Sequence, residues 1–191
     1  MQAIAISGSP RRNGNTDQLC QRCLAGLEAA GFSTRFESLA GKRIAGCTGC
    51  GWCREHDEDR CVIDDDDFLA LYRAMEEADV IVVGSPVYFG SATPEMMALL
   101  DRAGYVARGN GTPFSRKVGA PIAVARRAGQ NFTFAQLLYW FTINDMVVPG
   151  SRYWSIAFGK GPGDVAEDAE GLATIDRLAE NLAWVAQRLR G

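Results

Sequence analysis

Histidine is almost missing from this chain: of 191 residues only His56 is one. A Ser-His-Asp or Cys-His hydrolytic centre would have to be built around that residue, which sits among charges and reads as a solvated loop position. Long apolar runs are missing too. None approaches the ~18 residues a membrane-spanning helix needs, and the opening stretch MQAIAISGSP has neither a charged leader nor a long apolar region, so it does not read as a signal peptide. No internal repeat or linker breaks the chain. Strong charge of one sign is also lacking, with 20 basic and 23 acidic residues and a formal net charge of −3. Hydrophobic residues at 47% and charged residues at 23% match an ordinary globular domain and exclude a disordered chain, a collagen or a supercharged nucleic-acid binder. The expectation is one domain over residues 1–191, cytoplasmic, with no membrane and no nucleic-acid partner.

What is present is an alternation of strand and helix signals. Ala3 to Ser7 reads as a buried strand, followed by a helix from near Thr16 that stops at Gly31. Residues 33–39 read as an edge strand. Asp65 to Glu77 has helical spacing, and Asp79 to Gly84 is apolar on both faces, as in a parallel sheet. Thr93 and Pro94 fit the cap and first position of another helix. Val118 to Ala125 is a buried strand, Phe132 to Ile143 a helix, Met146 to Val148 a short fifth strand, and Leu172 to Leu189 a closing amphipathic helix. Residues 149–170 resist assignment. Alternating elements of this kind predict an α/β three-layer sandwich with a five-stranded parallel sheet in the flavodoxin-like order 2-1-3-4-5.

Such sheets bind ligands beyond the carboxyl ends of their strands. Three loops are expected there: 7–16, 85–91 and 126–131. The first, SGSPRRNGNT, offers Ser9, Pro10, Arg11, Asn15 and Thr16 at a helix start, where free N–H groups and hydroxyls suit a phosphate. It is not a Walker loop, because five residues separate Gly8 from Gly14 and Asn15 follows, and the dinucleotide fingerprint G-x-G-x-x-G is absent. The alternative is a polar turn that merely caps a helix. The second loop brings Pro86, Val87, Tyr88, Phe89 and Gly90, a stiffened aromatic stretch against which a flat ring could lie, or which simply covers the sheet end. The third offers Arg126 and Gly129, with positive charge suited to the pyrimidine edge of a reduced flavin. Phosphate donors beside aromatics are typical of a flavin mononucleotide site.

Four of the six cysteines are crowded into residues 40–63, a segment with no period and long for a loop. Cys47, Cys50, Cys53 and Cys61 form C-x2-C-x2-C-x7-C, an arrangement suited to an iron–sulfur cluster. Metal-free thiols, zinc and disulfides stay open as alternatives. Cys20 and Cys23 lie on the apolar stripe of the first helix and read as core. Between 54 and 67, eight acids face only Arg54 and Arg60. This run is expected to lower a cluster's reduction potential and to dock a basic partner, or else to be a solvated loop and a well-charged helix start.

SGSPRRNGNT, the CTGCGWC triplet with Cys61, CVIDDDD, ADVIVVGSPVYFG and the pair Asp101-Arg102 resemble the iron–sulfur flavoprotein branch of the NADPH-dependent FMN reductase family. The resemblance covers roughly residues 2–150. It implies bound FMN, a [4Fe–4S] cluster on the four cysteines, and a homodimer or dimer of dimers. It implies that Ser9, Arg11, Asn15 and Thr16 hold the phosphate and that Pro86 to Phe89 line the flavin. The x7 gap before Cys61 is long for the family. The implied function is an FMN-dependent oxidoreductase that converts two-electron flavin chemistry to one-electron transfer. NAD(P)H or a ferredoxin-like protein would be the donor, and a quinone or small oxidant the acceptor. A metal-free NAD(P)H-dependent FMN or quinone reductase, and a non-enzymatic FMN-binding carrier or regulator, are the alternatives.

Overall fold

The computed structural model describes residues 1–56 and 58–190. Five parallel strands form one sheet in the order β2-β1-β3-β4-β5: β1 (Gln2–Ser7), β2 (Ser33–Ser38), β3 (Val80–Pro86), β4 (Val118–Ala125) and β5 (Ile156–Phe158). The helices are α1 (Asn15–Ala29), α2 (Trp52–Glu55), α3 (Phe68–Glu77), α4 (Pro94–Gly109), α5 (Gln130–Ile143) and α6 (Ala169–Arg190), with a 3-10 turn at Asp164–Glu167. Among the described residues no helix is long and apolar enough to cross a membrane.

The period-two alternation of the strands sorts the core into two halves. Ile4, Ile6, Ile81 and Val83 face one side and pack with α3, α4 and α5. Ala3, Ala5, Val80 and Val82 face the other, with α1 and α6. Cys20 and Cys23 belong to this second core and are fully buried. Burial pushes both thiols up, Cys23 to about 12, so neither is a reactive thiolate at neutral pH.

Two sequence expectations need correction. Met146 to Val148 is not the fifth strand; only Val147 bridges Val118. The strand is Ile156–Phe158, paired with Ala123 to Ala125. Thr93 occupies the position before α4 but does not cap it. Its hydroxyl donates to the Gly8 carbonyl at 2.8 Å, tying the first loop to the start of α4.

The end of α3 is finished by a residue distant in sequence. Lys117 Nζ donates to the carbonyls of Met75 (3.3 Å), Glu76 and Ala78 (2.7 Å). Burial pulls its ammonium pKa down, while Asp79 and Glu76 oppose that. Lys117→Met strands these carbonyls, with an expected loss of about 1–3 kcal/mol in urea unfolding.

Candidate functional site

The carboxyl edge of the sheet carries a groove of about 150 Å³. Its walls include Ser9, Arg11, Asn15 and Thr16 from the first loop. Pro86, Val87 and Tyr88 come from the second, and Arg126 from the third. Eight of the twelve expected positions therefore meet in one place. Pro10 is exposed and outside this wall. Gly129 instead borders a separate hollow with Phe132 and Tyr153. It holds φ +92°, and a Cβ there would meet Val87 Cγ1 at 2.8 Å, so it keeps the second and third loops in contact. Phe89 and Gly90 form the tip of a two-residue turn closed by Tyr88 N–H to Ser91 O at 2.8 Å. Both have positive φ, as a hairpin turn of this kind requires. The turn points the Phe89 ring fully into solvent and off the groove wall.

The helix that opens on this groove is uncapped. Gly14 stands at the N-cap with extended backbone and no side-chain cap bond. The first backbone bond of the α1 ladder runs from Gln18 N–H to Gly14 O, so the N–H groups of the preceding turn remain open to a ligand. Arg11, Arg126 and Lys160 add three cationic side chains to the same groove. This electrostatics suits a phosphate and weighs against the plain capping-turn alternative.

The loop is shaped by two residues with different duties. Asp17 is buried; its Oδ1 accepts from the Ser7 hydroxyl at 2.5 Å and its Oδ2 from Asn13 N–H at 2.8 Å. It thereby holds Asn13 at φ 56°, where the chain turns into α1. Asn15 spends its side chain elsewhere. Nδ2 donates to Gly161 O at 2.8 Å, and Oδ1 accepts from the N–H groups of Gly163 (2.9 Å) and Val165 (3.3 Å). It ties the first loop to a fourth loop, 159–163, which follows β5 and brings Gly159, Lys160 and Pro162 to the groove. Sequence reasoning missed this loop because it misplaced the strand before it.

The cysteines form a second centre. Cys47, Cys50, Cys53 and Cys61 line one cavity with Val62, Arg102, Tyr105 and Val106. Cys61 lines this same cavity from the far side of the x7 segment. Asp59 within it is anchored by Tyr72 Oη (2.8 Å), by Arg73 and by Asn110 Oδ1, which accepts its N–H at 3.0 Å. Gly49 and Gly51 have φ +68° and +80°, letting the chain curl over its own sulfurs. Gly49 N–H donates to Cys47 Sγ at 3.4 Å. The Trp52 N–H and the Thr48 hydroxyl hold the Cys50 thiol below its ordinary pKa, whereas burial pushes Cys53 up. Among the described residues, no three His, Cys, Asp or Glu side chains converge to hold a single ion. Thiols around a shared cavity suit a polynuclear cluster, which spreads its ligands over several irons, better than one zinc. His56 is exposed and stacks on Trp52 with ring centroids 4.4 Å apart, as a loop residue outside the cavity wall.

Residues 1–161 match the model of the family described as NADPH-dependent FMN reductase. The chain belongs to the NADPH-dependent FMN reductase family. An iron–sulfur flavoprotein of Methanocaldococcus jannaschii is 38% identical over 100% of both chains. One from Methanosarcina thermophila is 33% identical over 100% of this chain and 97% of its own. These relatives place the chain in the family's iron–sulfur flavoprotein branch. The fold is shared with RosB, solved with bound 8-demethyl-8-formylriboflavin-5'-phosphate, at TM-score 0.79 and 18% identity, covering 100% of this chain and 80% of that one.

In this family member the acidic run is partly paired, and among its described residues only Asp66 has a buried side chain. Arg102 takes Asp66, Arg73 takes Asp59, Arg43 takes Asp65 and Arg60 takes Glu58. Asp67 Oδ2 accepts from Arg43 N–H at 2.8 Å. Asp57, part of the same run, lies outside the described residues. Four of the eight acids, Glu58, Asp59, Asp65 and Asp66, are thus met by an arginine, which reduces the charge excess counted along the sequence.

Proposed function

We propose that this chain is an FMN-dependent oxidoreductase that couples two-electron flavin chemistry to one-electron transfer through a [4Fe–4S] cluster on Cys47, Cys50, Cys53 and Cys61. The observation that carries this reading is the pairing of two centres on one fold. One is an uncapped helix start ringed by Arg11, Arg126 and Lys160; the other is a cavity lined by four cysteines. When bound, FMN exchanges electrons in pairs or singly and the cluster passes them singly.

The protein's own residues bind and orient. The N–H groups at the start of α1, the Ser9 and Thr16 hydroxyls and the Arg11 guanidinium would hold the phosphate; Asn15 would contribute its backbone N–H, since its amide is committed to loop 159–163. Pro86, Val87 and Tyr88 would flank the ring, and Arg126 would offset negative charge on it. Backbone N–H groups on Cys47 and Cys50 would stabilise thiolate ligands. NAD(P)H or a ferredoxin-like protein would donate, and a quinone or small oxidant would accept. Phe132, Tyr139 and Ile143 lie exposed along one face of α5, a surface suited to the homodimer or dimer of dimers.

Anaerobic purification with iron, sulfide and flavin counts tests this reading. The expected result is one FMN and four irons with four sulfides per chain, and loss of the full cluster in Cys61→Ala. Flavin without iron, in protein never exposed to air, would favour the metal-free reductase. Tight FMN with negligible NAD(P)H oxidation would favour the redox carrier or regulator.

A further inference from the structure

We propose that Arg102 is a built-in hydrogen-bond donor to the cluster, its Nε–H directed at a cluster sulfide or cysteine thiolate while its Nη groups close the neck of the cysteine loop. The inference rests on the cluster reading above and deepens it.

The side chain is wholly buried, and its polar atoms can be accounted for one by one. Nη1 donates to Ala45 O at 3.2 Å and to the Asp66 carboxylate. Nη2 donates to Ile63 O at 2.7 Å. Ala45 stands two residues before Cys47 and Ile63 two residues after Cys61, so one guanidinium joins both arms of the segment that bears all four cysteines. Phe68 supports it from below, with its ring 4.0 Å from Cζ. Nε alone is left without a partner among the described residues. Buried donors are rarely left unpaired, and an unpaired one calls for an explanation. Arg102 also lines the cysteine cavity and, among the described residues, is the one arginine, lysine or carboxylate in its wall. A donor held at that wall finds its natural acceptor in an anionic sulfur.

A hydrogen bond to cluster sulfur favours the more negative, reduced state, so Arg102 should raise the reduction potential. Asp66 pairs with the guanidinium through Nη1 and leaves the Nε–H available. Arg102 is thus a positioning and tuning residue; it need not touch substrate.

The test uses whole protein grown with arginine labelled with 15N at Nε, its cluster assembled anaerobically, then reduced and measured by pulsed EPR. Parent protein is expected to show a 15N hyperfine coupling that disappears in Arg102→Lys, together with a fall in the potential found by redox titration. If Arg102→Lys does not fold, the neutral pair Arg102→Gln with Asp66→Asn takes its place, since glutamine carries no label. An assembled cluster with no 15N coupling, a coupling that survives the substitution, or an unchanged potential overturns the proposal. Iron and sulfide counts on the same samples keep the two readings apart: protein that assembles no cluster sinks the cluster reading, and this inference with it.

Discussion

Arg102→Met loses about 3–5 kcal/mol of folding stability in the cluster-free protein, the effect of stripping one partner from a buried ion pair. Both side chains are almost completely shielded, 0% exposed for Arg102 and 2% for Asp66. Removing the guanidinium leaves the Asp66 carboxylate buried opposite a methionine and takes a donor from both Ala45 O and Ile63 O. Exposed pairs such as Arg177–Glu180 should change by no more than ~1 kcal/mol on the same treatment. Arg102→Met with Asp66→Leu should recover much of the loss, because no charge then remains stranded.

The pH dependence gives an independent check. Burial pushes the Asp66 carboxyl up, but bonds from Arg102 and from the Ala45 and Phe68 N–H groups outweigh it, and the net shift is downward. A carboxyl whose folded pKa lies below its unfolded value contributes stability above the unfolded pKa and loses it as pH falls through the folded one. Urea titrations should therefore show the gap between parent and Arg102→Met widest near pH 7 and narrowing toward about pH 3. A gap that stays constant over that range would mean the loss is packing and not charge.

Asp17→Asn weakens FMN binding by about tenfold or more, roughly 1.4 kcal/mol per tenfold, although it removes a negative charge next to the proposed phosphate site. The two possible effects have opposite signs. Charge alone predicts tighter binding of an anion. Geometry predicts weaker binding, because an amide cannot accept from both the Ser7 hydroxyl and the Asn13 N–H as the carboxylate does at 2.5 and 2.8 Å. The single amide oxygen serves one of the two donors, so either the Ser7 hydroxyl or the Asn13 N–H that holds the left-handed turn faces an NH2 group, and the loop must shift to accommodate it. Geometry should win, because the open N–H groups of α1 bind only where they already point inward. Fluorescence titration of apoprotein with FMN reads the result, and riboflavin, which lacks the phosphate, should show little change. Tighter FMN binding would mean that the loop keeps its shape without the carboxylate.

How legible was this in the sequence? Strands β1, β3 and β4 were plain because their residues are mostly apolar and nearly all buried on both faces. The groove residues Ser9, Arg11 and Thr16 were legible because the turn into α1 is a local event. The short strand β5 was not. Ile156–Phe158 has an exposed terminal Phe158 and sits in a glycine- and aromatic-rich stretch, whereas Met146 to Val148 is the more apolar run. Strand identity here depends on pairing with Ala123 to Ala125, and local hydrophobicity does not encode pairing. That one displacement hid loop 159–163 and with it the bonds of the Asn15 amide.

The sequence by itself determined the layered α/β architecture, the spacing of four cysteines and the position of the polar turn into α1. All of these follow from periodicity and spacing, which neighbouring residues decide. Only the tertiary structure decided which charges survive. Asp59, Asp65 and Asp66 look like a field when counted along the chain, but each is met by an arginine, two of them from α3 and α4. Asp17 drew no notice in the sequence and Arg102 stood out only as half of the Asp101-Arg102 pair, because their meaning lies in what burial removes: without water, each polar atom must find a partner, and their partners lie in other elements or across a folded loop.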